Sequence, residues 1–140
     1  MRIVVDTNVV LSGLLWTGPP QQLINLARAR KTDLYSSVSL IAELAEVIGR
    51  EQFASRIRAA GLSAAELIED YTTLARLVIP AEIRPTVLDD PDDDRVLACA
   101  LATQADLIVS GDKGLRGLKA YHGMPIVSTT DALSRLKRRA

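Results

Sequence analysis

Ile3-Val4-Val5-Asp6-Thr7-Asn8 is the stretch that decides the fold of this chain. Three β-branched residues in a row, with no in/out alternation, read as a short strand covered on both faces. The run stops on an acid and two polar residues, where a strand hands over to a helix. Four further runs behave alike. Leu34-Tyr35 follows Asp33 and stops at Ser36 and Ser37. Leu77-Val78-Ile79 is halted by Pro80. Leu107-Ile108-Val109 is closed by Ser110-Gly111-Asp112, and Ile126-Val127 follows Pro125.

Helical spacing fills the intervals. Leu23, Ile24, Leu26 and Ala27 share one side of a segment opened by Pro19-Pro20. Leu40, Ile41, Leu44, Val47 and Ile48 repeat at i, i+3 and i+4, as do Leu67, Ile68, Tyr71, Leu74 and Ala75. Val96, Leu97, Ala100 and Leu101 form another such stripe. Ala132, Leu133 and Leu136 carry the last helix, with Thr129 or Thr130 as its expected cap. Strands alternating with helices predict a three-layer α/β/α domain with a central parallel sheet of four to five strands. At 140 residues and 48% hydrophobic content, residues 1–140 read as a single domain able to bury a sizeable core.

In a parallel sheet all strand C-termini lie on one edge, and ligands of open α/β sheets bind there. Four carboxylates map to that edge. Asp6 ends the first strand, and Glu43 lies in the first two turns of the helix after the second. Asp94 is near the start of the helix before the fourth strand, and Asp112 follows that strand. Each acid alone has an ordinary structural reading: Asp6 as a helix cap, Glu43 as a solvated face residue, Asp112 as a turn residue. The acidic run from Asp89 to Asp94 suits a helix N-terminus. Their joint placement is what ordinary roles leave unexplained. Two carboxylates about 4 Å apart repel by roughly 4 kcal/mol at an effective dielectric near 20. Protons or a cation must compensate, and at neutral pH a divalent ion does so most simply. Hard ions such as Mg²⁺ or Mn²⁺ take oxygen ligands. They can bind a phosphodiester and lower the pKa of a bound water.

Four segments together resemble a PIN-domain nuclease: Asp6-Thr7-Asn8-Val9, Glu43 within Ser39-Leu40-Ile41-Ala42-Glu43-Leu44, the run from Asp90-Pro91-Asp92 to Ala100, and Val109-Ser110-Gly111-Asp112-Lys113. The similarity is greatest to the small bacterial toxins of toxin–antitoxin pairs (VapC-like) and runs from Met1 to about Thr130. The resemblance implies a metal-dependent endoribonuclease acting on single-stranded RNA, with Asp6, Glu43, Asp94 and Asp112 as both catalytic and metal-ligating acids. Asn8 would support the first acid, and Asp92 or Asp93 could share the role of Asp94. Ser110 stands where the family often has Thr and keeps the hydroxyl. The resemblance also implies a Mg²⁺ (or Mn²⁺) cofactor, a homodimer, and a small antitoxin whose C-terminal segment occupies the acidic groove.

Other chemistries fit less well. The chain lacks Gly-x-Gly-x-x-Gly and Walker-type phosphate loops. One histidine, His122, reads as a turn residue and excludes a two-histidine mechanism. The single cysteine, Cys99, sits on an apolar helical face and reads as a buried hydrophobe. With no disulfide or zinc cluster possible, a reducing cytoplasmic setting is expected. Nothing reads as a signal peptide or as the 18 or so apolar residues that span a membrane.

Seventeen basic and seventeen acidic residues cancel, so no global field draws in RNA. With acids concentrated at one edge, basic residues must dominate elsewhere. Lys113 and Arg116, directly after Asp112, are candidate contacts to substrate phosphate, as against ordinary helix-end cations. Arg28, Arg30 and Lys31 form a second cluster and Lys137, Arg138 and Arg139 a basic tail. Trp16 ends an apolar helix as either a contact surface or a core plug. Two rival readings remain: a receiver-like phosphoacceptor domain, which wants paired acids after the first strand and an Asp ending the third, and a PIN fold that binds RNA or protein without cutting.

Overall fold

A computed structural model describes residues 1–87 and 91–139. Asp89 and Asp90 of the acidic run lie outside the described residues, as do the side chains of Pro91 and Arg139. The chain runs β1 (Arg2–Val5), α1 (Thr7–Leu15), α2 (Pro19–Arg28), β2 (Asp33–Ser36) and α3 (Val38–Ile48). A 3-10 turn over Glu51–Phe53 leads into α4 (Ala54–Ala59), α5 (Ala64–Leu74) and β3 (Arg76–Leu77). Then come α6 (Pro91–Thr103), β4 (Leu107–Val109), α7 (Lys113–Gly117), β5 (Ala120–Tyr121), β6 (Met124–Val127) and α8 (Thr129–Arg139).

The strands form one sheet in the order β3-β2-β1-β4-β6-β5, parallel except for the β5–β6 pair. Side chains of the two central strands divide between its faces. Ile3 and Val5 of β1, with Leu107 and Val109 of β4, pack beneath α1, α2 and α8. Val4 and Ile108 point the other way, against Val96, Leu97 and Ala100 of α6 and Leu115 of α7. This two-sided burial is why the strands read as unbroken apolar runs. Each such side chain removed from water contributes about 1.5–3 kcal/mol. The three-layer α/β/α architecture follows.

Two details depart from the expected four to five strands. A sixth strand, β5, pairs with β6 through a two-residue hairpin at His122-Gly123, where both residues have positive φ (49° and 80°). That geometry matches the right-handed twist of paired strands. The third strand begins one residue earlier than its apolar run and is shorter: Arg76 and Leu77 pair with Tyr35 and Ser36, while Ile79 is 90% exposed. The last helix is also entered differently, with the Ser128 hydroxyl accepting from the Asp131 N–H ahead of Thr129.

Local chemistry sets the helix starts. Asp6, Ser37, Ser63 and Asp112 each accept a backbone N–H at the start of α1, α3, α5 and α7. Such caps contribute about 0.5–2 kcal/mol each. Trp16 closes α1 and is held within the chain. It packs edge-on against Phe53 with centroids 6.1 Å apart, and the Arg56 guanidinium lies over its ring while bonding the Leu15 carbonyl at 2.6 Å. No helix among the described residues is long and apolar enough to cross a membrane.

α1 and α2 meet closely at Gly13, where an added Cβ would lie 2.5 Å from Ile24 Cδ1 and 2.9 Å from the Pro20 carbonyl oxygen. Ile24 can rotate, but the Pro20 backbone cannot give without shifting α2. Gly13→Ala is therefore expected to lose about 1–3 kcal/mol to overpacking, against about 1 kcal/mol gained in helix propensity. The net result is a lower melting temperature. Gly117→Ala, with open space around its Cβ position, should melt at or above the parent. Equal melting of the two variants would show that α2 yields freely at Gly13.

Candidate active site

The sheet order reverses between β1 and β4. From β1 the chain steps outward to β2 and β3, then crosses to β4 and on to β6. At such a reversal the connections leave a crevice above the strand ends. Asp6 stands on one side of it and Ser110 on the other. The ladder reaches Asp6, whose N–H bonds the Val109 carbonyl at 3.0 Å.

Asp6 is buried. Its Oδ1 accepts the Val9 N–H at 3.0 Å, and its Oδ2 accepts the Ser110 hydroxyl in a short hydrogen bond. Burial pushes the Asp6 carboxyl above the usual carboxylate range; these hydrogen bonds oppose the shift and the Asp112 charge adds to it. The Ser110 oxygen also accepts the Asp112 N–H at 2.9 Å, so one hydroxyl ties two acids together. Asp112 caps α7 by accepting the Leu115 N–H at 3.0 Å. It is held below the usual carboxylate range, first by a hydrogen bond with Asp93 and then by its backbone partners. Two carboxyl groups in hydrogen-bond contact share a proton when no cation lies between them.

Glu43, on the second turn of α3, accepts the Thr7 hydroxyl at 2.6 Å. Burial raises its pKa first, with the Asp92 and Asp6 charges adding to the shift while Thr7 and Arg95 counter it. Asp6, Asn8, Glu43, Asp92, Asp93 and Asp112 together line a cleft of about 200 Å³ whose other walls are Thr7, Val47, Arg50 and Val96.

Asp94 lies elsewhere. It does not line this cleft; its carboxylate accepts the Thr86 N–H at 3.1 and 3.2 Å and the Val87 N–H at 2.9 Å. It fastens the loop before α6. The third acid of the cleft is Asp93, only 7% exposed, with Asp92 beside it and bonded to Arg95 at 3.2 Å. The expectation centred on Asp94 is corrected accordingly. Lys113 is exposed outside the cleft lining. Arg116 is half-buried and close enough to Asp112 to help hold its pKa down.

Residues 2–114 match the family model described as the PIN domain. The chain belongs to the PIN-domain family. PIN domains are commonly nucleases, which makes hydrolysis the coarse activity class. A comparison with curated proteins finds no match.

Three residues of this PIN cleft escaped the sequence reading. Thr7 reads as a cap neighbour, yet it braces Glu43. Arg50 lies seven residues, two helical turns, beyond Glu43 and so on the same stripe. Arg95 follows the aspartates and pairs with the first of the three. The donor set is all oxygen, carboxylate and hydroxyl with no sulfur or imidazole, which suits a hard divalent ion. The crowding of a buried acid by Asp112 and of Glu43 by Asp92 and Asp6 is the electrostatic setting such an ion relieves. Among the described residues, no three carboxylate, imidazole or thiol groups converge as a ready-made cation site. Asp6, Glu43, Asp93 and Asp112 are the residues that would hold one.

The two neighbouring aspartates should separate in a melting experiment. Asp94→Ala leaves the Thr86 and Val87 N–H groups without their acceptor and should cost about 1–3 kcal/mol. Asp93→Asn replaces a crowded carboxyl by an amide that can still donate to Asp112, so its melting temperature at neutral pH should equal or exceed the parent's. The reverse order of melting would undo the division of roles.

Proposed function

We propose that this chain is a metal-dependent endoribonuclease that hydrolyses phosphodiester bonds of single-stranded RNA, and that it is the toxin of a toxin–antitoxin pair. One observation carries the hydrolytic reading: Asp6, Glu43, Asp92, Asp93 and Asp112, from four separate segments, line a single cleft at the sheet reversal. The ordinary role of helix cap accounts for Asp6 and Asp112 but not for Glu43 or Asp93. When bound, a Mg²⁺ or Mn²⁺ ion supplies Lewis-acid charge and a water of lowered pKa. The chain's own contribution is placement. Ser110 orients Asp6 and Asp112 with one hydroxyl, and Thr7 fixes Glu43. In the reaction a water oxygen bonds to phosphorus and the bond to the leaving ribose oxygen breaks. A cleft carboxylate takes the water's proton, and the leaving oxygen becomes a hydroxyl. Arg116, half-buried beside Asp112, is a phosphate contact in this reading; Lys113 is a weaker one, being exposed and outside the cleft lining.

The toxin role, the small antitoxin partner and a homodimer rest on the resemblance to VapC-like proteins. A cytoplasmic setting suits Cys99, which is buried with its thiol pushed up to about 11 and therefore unreactive. The receiver-like alternative has little to stand on, since β3 ends at Leu77 and only Val78, Ile79 and Pro80 follow it. The non-cutting alternative has one observation in its favour, the lack of a ready-made three-acid cation site among the described residues.

Cleavage of defined single-stranded RNA in Mn²⁺, with an EDTA control, separates these readings. The parent should cleave only with metal. Asp6→Asn should lower the rate at least about 100-fold, the upper range for disturbing even an outer partner of a metal ligand. Its melting temperature should stay near the parent's, because Asn caps a helix as well as Asp. Equal cleavage by parent and variant defeats the assignment, and RNA binding without cleavage by the parent establishes the non-cutting module.

A further inference from the structure

The acidic cleft has one basic residue in its lining, Arg50. Its backbone is set by the end of α3: its N–H bonds the Val47 carbonyl at 3.1 Å, and its extended conformation (φ −66°, ψ 144°) opens the following 3-10 turn. The side chain is 53% exposed, and Nη2 reaches both oxygens of Glu46, at 3.0 and 3.4 Å. Glu46 stands outside the cleft lining and is itself 63% exposed.

Arg50 thus differs from the neighbouring arginines. Arg95 is paired with a cleft acid, Asp92, and Arg116 acts on Asp112; both serve to balance the carboxylates. The contacts recorded for Arg50 go to an exposed glutamate one turn back along its own helix. A solvent-exposed pair of this i, i+4 kind is weak, so it orients the guanidinium without committing it. A guanidinium presents a planar fork that matches two phosphate oxygens, which an ammonium cannot do.

We propose that Arg50 is a substrate-binding residue, gripping a backbone phosphate of single-stranded RNA next to the bond that is cut, with Glu46 as its positioning residue. This deepens the nuclease reading above and rests on it for the identity of the strand. It also answers how a chain of zero net charge, with an acid-lined cleft, holds a polyanion: the contact is local, at the rim.

Steady-state cleavage of a defined single-stranded oligoribonucleotide in Mn²⁺ tests the assignment. Arg50→Ala should raise KM about tenfold with kcat within about twofold, and the dependence of log affinity on log salt should flatten by nearly one unit. Arg50→Lys should keep the salt slope and recover only part of KM. Glu46→Ala should raise KM less than Arg50→Ala. All three should melt within a degree or two of the parent. Binding of the same strand, read by fluorescence anisotropy in the Asp6→Asn background with Mg²⁺, separates this assignment from the hydrolytic one. If the parent never cleaves but Arg50→Ala still weakens binding and flattens the salt slope, Arg50 stands and the hydrolytic reading falls. If the parent cleaves while Arg50→Ala matches it in KM and salt slope, or loses kcat alone, the Arg50 assignment is overturned. A parent that neither binds nor cleaves RNA overturns both.

Discussion

The contact between Ser110 and Asp6 is the one on which the site depends. The pairing of β1 with β4 puts the two residues side by side at the point where the sheet order reverses, the Asp6 N–H completing the ladder at the Val109 carbonyl. A carboxylate buried there would be costly without partners. It has two, a hydroxyl on one oxygen and a helix N–H on the other. The same hydroxyl receives the Asp112 N–H, so the second acid is placed by the brace that makes the first tolerable. The apolar layers serve this junction: Val5 and Val109, just before Asp6 and Ser110, are buried in the same core. Serine where the family often carries threonine loses a methyl group and keeps the oxygen that does the bracing.

Geometry of a helix decides which member of an aspartate run faces the cleft. Successive residues turn by about 100°, so three consecutive acids cannot share one direction. Val96 lines the cleft, and its helical neighbours are the residues three and four before it, Asp93 and Asp92. Asp94, two before it, faces away, since i and i+2 positions do not meet on a helix surface. Asp94 accordingly serves the polypeptide, closing the Thr86–Val87 turn with two backbone N–H groups. The apolar positions that follow Asp94 are an uncertain guide; the spacing to the cleft-facing valine is the better one, and it was present in the sequence.

Much of the architecture was legible because its causes are local. Unbroken β-branched runs signal two-sided burial, and the apolar stripes of α3, α5 and α6 signal where the sheet is covered. Asp6, Glu43 and Asp112 could be placed on the correct edge from topology alone. The losses have equally physical sources. His122-Gly123 lacks the Asn-Gly or Asp-Gly signature of a tight hairpin, although its backbone adopts the same positive φ values, so β5 went unseen. β3 lies at the sheet edge, where a charged residue such as Arg76 can pair and Ile79 can stay exposed; hydrophobicity is a poor guide to a strand in that position. Trp16 could not be assigned because its partners, Phe53 and Arg56, are distant in sequence and reach it only through the fold.

A chain with equal numbers of acids and bases has no long-range pull on RNA, and its cleft should repel phosphate. The arrangement of charge inside and around that cleft resolves the tension. Asp6 and Asp93 are buried at its floor, Asp112 is half-buried, and Arg95 and Arg116 act on the acids beside them. Arg50 reaches outward to a solvent-exposed partner. A polyanion meeting this surface encounters a guanidinium before it encounters the carboxylates. The floor would attract the strand only once a hard cation sits among those acids, since the ion reverses the sign of the local field. Charge neutrality over the whole chain then becomes compatible with a nucleic-acid substrate. The same reasoning divides the work between binding at the rim and hydrolysis at the floor.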